Sequence, residues 1–294
     1  MSEFLIELFQ ILCIMNKKLP LIIAAVVAAA VLLAAGIITT IYLHLPAQTP
    51  DAYEILLSSK RAVENLDSMK ADAYFFNSLH TPSLNEHSNY SMRIELLRTA
   101  GDGAGDGECT TMKMNFKDYE YASSDARREV AHERLRQSLR NAWILDTHDK
   151  VYLYSPVVLN ESVTEFTPQH SLMRYVFIPV IDPLHHALLF DRAENASYEG
   201  IQTINVGNIP VEAYVVSYKF SYPVITFARE ATFKTWISTS DYIPLKTEAH
   251  ATHETANGTT EMDFEFGFEN YEKDVSIPPA NLSLPESLNI IKRV

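Results

Sequence analysis

Residues 261–271 read EMDFEFGFENY. Met262, Phe264, Phe266 and Phe268 occupy every second position, and Asp263, Glu265 and Glu269 fall between them. Successive side chains of a strand point to opposite faces, so the stretch predicts a β-strand with one apolar and one acidic face. A helix would scatter the same four side chains around its circumference. Outward from this strand the pattern repeats. In 213–222 the apolar positions are Tyr214, Val216, Tyr218, Phe220 and Tyr222. Strand signals also cover 197–206 (SYEGIQTINV), 210–222, 229–239 (REATFKTWIST), 244–254 (PLKTEAHATHE) and 260–271. Spacing this regular predicts an antiparallel sheet or barrel, with water on one face and a large aromatic, Met-rich surface on the other.

Nearer the N-terminus the period changes. Asp51 to Ala73 carries Ile55, Leu56, Ala62, Val63, Leu66 and Met69 at helical spacings, which predicts a first helix packed by one face on the sheet. Ser91–Thr99 and Thr110–Phe116 alternate again, the second with Met112, Met114 and Phe116 on one face, and the Gly-rich segment 100–107 (AGDGAGDG) reads as the loop between two strands. Ser124–Trp143 predicts a second helix, with Ala131, Leu135, Leu139 and Ala142 or Trp143 as its apolar stripe. Residues 144–155 read as a hairpin turning near His148 and Asp149, and Asp182-Pro183 as the cap of a short helix running to Phe190.

The run from Leu19 to Leu45 contains no Asp, Glu, Lys or Arg. At about 1.5 Å per residue it is long enough to cross a hydrocarbon core of about 30 Å. Lys17 and Lys18 precede it, and Asp51 and Glu54 are the first charges after it, so the positive-inside rule places residues 1–18 in the cytoplasm and the rest outside. Met15-Asn16-Lys17-Lys18 reads as a natural start, with 1–14 as an upstream extension. A cleaved signal peptide is the competing reading, since Ala34-Ala35-Gly36 resembles a small-residue cleavage site. The apolar run exceeds the usual length of a signal's apolar region, which favours a retained anchor. The expected organisation is therefore a transmembrane anchor at 19–45, a polar linker at 46–53, and one extracytoplasmic domain from 54 to 294.

The charge imbalance, 24 basic against 37 acidic residues for a net charge of −13, falls outside the first fifty residues, which carry two of each sign. A domain so acidic repels polyanions, so nucleic acid is not an expected partner. Asn89, Asn160, Asn195, Asn257 and Asn281 each begin an Asn-X-Ser/Thr sequon, in keeping with an outer location.

Several segments together resemble a known family. They are 53–75 (YEILLSSKRAVENLDSMKADAYF), 141–156 (NAWILDTHDKVYLYSP), 198–217 (YEGIQTINVGNIPVEAYVVS), 235–248 (TWISTSDYIPLKTE) and 264–279 (FEFGFENYEKDVSIPP), the 235–248 phrase being the most specific. The domain resembles the LolA and LppX-like lipid and lipoprotein carriers, in particular their membrane-anchored, archaeal-type relatives. The resemblance implies an α+β fold: a strongly curved, incompletely closed antiparallel sheet, or half-barrel, with helices packed in its concavity. It also implies a hydrophobic cavity for acyl chains, for which Met92, Ile94, Met112, Met114, Phe116, Tyr214, Val216, Met262, Phe264 and Phe266 are the candidate lining; taken alone, the same Met and Phe faces read first as an ordinary packed core. Met-rich surfaces repack readily, and each buried methylene is worth about 0.8 kcal/mol. An uncleaved anchor holds the domain at one membrane, so local lipid handling, lipoprotein hand-off or sensing through an envelope protein partner replaces shuttling between membranes.

Other motifs are weaker. Arg127, Arg128, Arg134, Arg136 and Arg140 form a basic cluster that reads either as a solvated helix face paired with Glu129 and Glu133 or as a site for anionic headgroups or a partner's acids. His250 and His253, three apart on a strand, point to opposite faces and make a poor chelate; His185-His186 adds a pair without a metal motif. Asp102, Asp106 and Glu108 lack EF-hand spacing. With no GxSxG, no Lys-Ser/Thr-terminated phosphate loop and no Cys in a catalytic motif, neither an enzymatic activity nor a cofactor or metal is expected.

Overall fold

The computed structural model describes residues 50–99, 109–147, 150–159, 162–166, 183–220, 231–255 and 258–293. The apolar segment 19–45 and the 100–107 loop lie outside them. So do Asn160, Asn257, His148, Asp149, Asp182, Tyr222, Asp102, Asp106 and Glu108. Among the described residues no helix is long and apolar enough to cross a membrane.

The chain opens with α1 (Ala52–Glu64), capped by the Asp51 carboxylate, which accepts the Tyr53 N–H at 2.8 Å. Three long strands follow: β1 (Ser68–Thr81), β2 (Leu84–Thr99) and β3 (Cys109–Ser123). Next come α2 (Ala126–Leu139), β4 (Trp143–Asp146), β5 (Val151–Tyr154), the single-turn α3 (Pro156–Leu159) and β6 (Ser162–Phe166). After α4 (Pro183–Ala187) and a 3₁₀ turn (Phe190–Arg192), β7 (Glu194–Val206), β8 (Ile209–Phe220), β9 (Ala231–Ser238), β10 (Pro244–Thr255) and β11 (Gly258–Lys273) run as a meander. A second 3₁₀ turn (Pro279–Leu282) leads to β12 (Asn289–Arg293). The twelve strands form one sheet in the order β12-β6-β5-β4-β3-β2-β1-β11-β10-β9-β8-β7, whose two ends do not meet. Every pairing is antiparallel except β12 with β6.

Two helical expectations need correction. Helix 51–73 stops at Glu64, and Ser68 to Thr81 is strand. Leu66 and Met69 continue the helical spacing, yet Met69, Ala71, Ala73 and Phe75 also alternate, and all four are buried in register against β2 and β11. Once the sheet exists, pairing on both edges outweighs local propensity. Helix 124–143 shortens to 126–139 and buries no side chain; Ala131 and Leu135 are exposed, while Ala142 and Trp143 are buried beyond the helix.

The expected division into one wet and one apolar face also needs correction. Ala213 and Val215 are as fully buried as Val216, because Trp236, paired with Val215, covers the outer side and accepts Lys234 and Lys246 over its ring. Trp143, Leu145, Tyr152 and Val163 form a second apolar cluster, against which Leu284 and Leu288 pack. The acidic outer positions of β11 are paired too: Glu265 accepts the Tyr74 hydroxyl at 2.9 Å and Lys246 at 3.1 Å, and Asp263 meets His250 at 2.6 Å.

A bulge at Asp72/Ala73 interrupts the β1–β11 register, and Asp72 binds the strands around it. Its carboxylate accepts from Arg93 of β2 at 3.2 Å, from Lys117 of β3, and from Asn270 of β11 at 3.0 Å. Burial would raise its pKa, but bonds from Lys117, Asn270 and Arg93 outweigh it and hold the carboxyl below the ordinary value of 3.8. A carboxylate depressed in the folded state contributes stability above its unfolded pKa and loses it as the pH falls through the folded value. Stability should therefore drop on acidification below about pH 4, and Asp72→Asn should flatten that limb in urea titrations at stepped pH. At the β7–β8 turn, Gly207 has φ +60°, and a Cβ there would overlap the Glu269 carbonyl oxygen. Gly207→Val should cost roughly 1–3 kcal/mol, or more where the backbone cannot yield, measured by chemical denaturation.

Candidate functional site

Paired residues on neighbouring strands share a face, so the registers define one apolar surface, on which α1 packs against β7 and β8 and α4 against β10 and β11. One row runs Val216, Thr235, Thr247, Phe266, Phe75, Tyr90 and Tyr119 across β8, β9, β10, β11, β1, β2 and β3. A second runs Ala71, Ile94, Met114 and Ile144, and a third Met69, Leu96 and Met112. Met69, Met92, Met112 and Met114 are thereby neighbours on three adjacent strands, all with 0–1% exposure. Unbranched thioether side chains adapt to irregular shapes better than any other apolar type.

The candidate lining residues therefore fall into one core. Met92, Ile94, Met112, Met114, Val216 and Phe266 are buried in it, and Phe116, Tyr214 and Phe264 are partly buried against it. Met262 is half-buried two positions beyond Phe264 on the same strand face. Of the sequons, Asn89, Asn195 and Asn281 are exposed.

α1 covers this face through Ala52, Ile55, Leu56, Ser59 and Val63, a single stripe at helical spacing. Burial of each large aliphatic residue is worth about 1.5–3 kcal/mol. The Tyr53 hydroxyl accepts the Ala196 N–H of β7 at 3.3 Å, and Lys60 pairs with Asp191 in the 3₁₀ turn at 2.8 Å. The hydroxyl of Ser59, on the same stripe, is buried with no hydrogen-bond partner among the described residues. A buried polar atom of that kind is uncommon and marks a place where water or a ligand's polar atom would be accommodated.

α4 carries the feature that sequence reading missed. His186 is 1% exposed and sits among the rings of Phe190, Tyr218, Phe233 and Phe266. Its Nε2 lies 2.7 Å from the Tyr218 hydroxyl, which lies 2.9 Å from Thr235 Oγ1, itself 2.9 Å from Thr247 Oγ1. A polar thread thus runs across three strands inside the apolar layer and ties α4 to the sheet. The available signal was the Thr residues at strand positions whose neighbours in the row are apolar. His250 and His253 fall on opposite faces of β10, His250 bonded to Asp263.

Two clefts flank α2 where it lies on β3. One, of about 580 Å³, is lined by Lys117, Asp118, Tyr119, Glu133, Arg136, Gln137, Leu139 and Arg140. The other, of about 350 Å³, includes Tyr121, Glu129 and His132. The His132 ring stacks on Tyr121 with centroids 3.4 Å apart and bonds the Tyr119 hydroxyl through Nδ1. Burial lowers the His132 pKa and raises that of Tyr119, so both sit there uncharged at neutral pH.

No protein-family model matches the chain, and no curated protein matches it in sequence. Solved structures similar to it include a conserved protein of Thermus thermophilus (TM-score 0.42, 12% identity, 82% of this chain and 98% of the other). MucB, in the MucA/MucB complex of Pseudomonas aeruginosa, matches with TM-score 0.39 and 11% identity over 82% of this chain and 64% of the other. A domain described as an outer membrane lipoprotein-sorting protein, from Vibrio parahaemolyticus, matches with TM-score 0.34 and 12% identity over 79% and 97%.

The polar thread should be cooperative. Thr235→Val should destabilise the fold by about 1–3 kcal/mol, because it leaves the Tyr218 and Thr247 hydroxyls short of a partner. Thr235→Val with Thr247→Val should cost less than the sum of the single changes, as a double-mutant cycle in urea would read.

Proposed function

We propose that this chain is a membrane-anchored extracytoplasmic protein that binds a lipid or a lipidated protein on the sheet face beneath α1 and α4. The observation that carries the proposal is the cluster of buried Met69, Met92, Met112 and Met114 on adjacent strands, in one apolar core with the part of the sheet that α1 and α4 pack against. An open sheet can part from its covering helices without breaking its own ladder. The apolar face so exposed would repack around acyl chains of varied length, and the buried Ser59 hydroxyl of α1, unpartnered among the described residues, would offer a polar contact. The segment 19–45 would hold the domain at one bilayer with its main mass outside, an arrangement in keeping with the exposed sequons at Asn89, Asn195 and Asn281. The function requires affinity and release rather than bond chemistry.

The near-zero exposure of the same methionines favours a second reading. In it the face is filled by the protein's own side chains, and the domain is an envelope sensor or interaction module whose partner binds elsewhere.

Native mass spectrometry with lipid extraction, on the full chain purified from its own membranes, separates the two. Carriage predicts co-purifying acylated species and uptake of a fluorescent fatty acid. Both should fall several-fold in Met92→Phe/Met114→Phe, a pair that enlarges the buried side chains at an overpacking cost of about 1–3 kcal/mol. Thermal melts would verify that the variant is folded. A chain that is empty as isolated and takes up no fatty acid removes lipid carriage and leaves the sensor reading.

A further inference from the structure

The helix α2 is at odds with the rest of the domain. It buries no side chain, and from 126 to 140 it carries five arginines against two glutamates in a chain of net charge −13. A helix without an apolar face gains little from packing, so its sequence answers to something other than the core. It is nevertheless held firmly in place. His132 stacks on Tyr121, and Arg128 reaches Glu86 of β2 at 2.9 Å.

The arginines divide into two groups. Arg127, Arg128 and Arg136 are paired with Asp125, Glu86 and Glu133. Arg134 and Arg140 make no ion pair among the described residues. Arg134 lies one turn from Val130, which is 63% exposed, on the side of the helix away from His132. Arg140 lines the cleft of about 580 Å³ with Lys117, Arg136, Asp118 and Glu133; there Lys117 is paired with Asp72 and Arg136 with Glu133, whereas Arg140 is not so paired. One outward side of the helix and the adjoining cleft thus present two guanidinium groups, those of Arg134 and Arg140, that make no ion pair with the domain's acids among the described residues.

We propose that α2 and this cleft form the surface by which the domain docks on the anionic phospholipid headgroups of the membrane that tethers it. The proposal takes the anchor at 19–45 from the reading above. Two arguments select a bilayer surface as the occupant. The linker read after the anchor, residues 46–53, spans at most about 28 Å when extended, so a domain anchored in this way would not leave the neighbourhood of the headgroups. An acidic domain is repelled by an anionic surface except through a basic face, so the charge distribution also sets the orientation. Each arginine brought to such a surface adds about fivefold to partitioning at moderate ionic strength, and salt removes the effect.

The test is hydrogen–deuterium exchange on the full chain in nanodiscs of phosphatidylcholine, with or without phosphatidylglycerol. Docking predicts slowed amide exchange across 126–140 in the anionic discs only. That protection is lost in high salt and in Arg134→Glu/Arg140→Glu, while β9 to β11 exchange unchanged and report an intact fold. Equal exchange in the two disc types overturns the proposal, as does protection that survives both charge reversals. Protection that appears only when an acidic peptide is added overturns it in favour of a protein partner. A chain retained by neither disc removes the anchor reading alone; flotation with vesicles of the same two compositions then decides the docking surface, with the same two substitutions as the control.

Discussion

The rest of this architecture depends on one constraint: a sheet whose ends do not meet has a large apolar face that its own strands cannot seal. A closed barrel would turn that face inward on itself. Here β7 and β12 stand at opposite ends of a twelve-stranded order, so the covering comes from elsewhere in the chain. α1 supplies one stripe of apolar side chains and α4 supplies Leu184, Ala187 and the nested His186, with Phe190 beside them. Tyr53 bonded to β7 and Lys60 paired with Asp191 fix α1 to the far end of the same sheet. These are few and modest ties for a large apolar area, and an exposed pair such as Lys60–Asp191 contributes at most about 1 kcal/mol. Covering elements held mainly by apolar contact can leave when another apolar surface replaces them.

The outer side of the sheet has the opposite character. Asp72 joins β1, β2, β3 and β11 in one cluster of charge-assisted bonds, and Glu199, Lys234, Lys246, Glu248 and Glu265 continue the pairing along β7, β9, β10 and β11. Directional bonds of this kind resist strand slippage. The outer side of the sheet is therefore held mainly by directional bonds, and the inner side mainly by apolar area together with the one polar thread from His186 to Thr247.

The strands could be read from the chain because their period is unambiguous wherever polar and apolar residues alternate over eight or more positions, as in 261–271. The helix boundaries could not, since Val63, Leu66 and Met69 satisfy the helical period while Met69, Ala71 and Ala73 satisfy the strand period. The choice between them was made by the partners of Met69 and Ala71, Leu96 and Ile94 on β2 and Lys273 and Tyr271 on β11, all of which lie more than twenty residues away. The apolar residues proposed for the site were legible for the same reason as the strands: Met92, Ile94, Met112 and Met114 alternate. The thread from His186 to Thr247 was not, because its members lie on four separate elements, and each alone looks like an ordinary strand threonine or surface histidine.

That thread narrows how the covered face can work. Four polar side chains buried in an apolar layer cost little while bonded to one another, but each costs about 1–3 kcal/mol if stranded. If α4 lifts, the Tyr218 hydroxyl loses its contact with His186 while Thr235 and Thr247 keep each other. The penalty therefore falls on the helix side, where the imidazole and the phenol both gain access to water as they separate. A ligand chain sliding between α4 and the sheet would keep that water out and strand the same groups. Under the lipid-binding reading proposed above, these energetics make α1, which makes no such polar tie to β9 or β10 among the described residues and carries Ser59, the element to yield before α4.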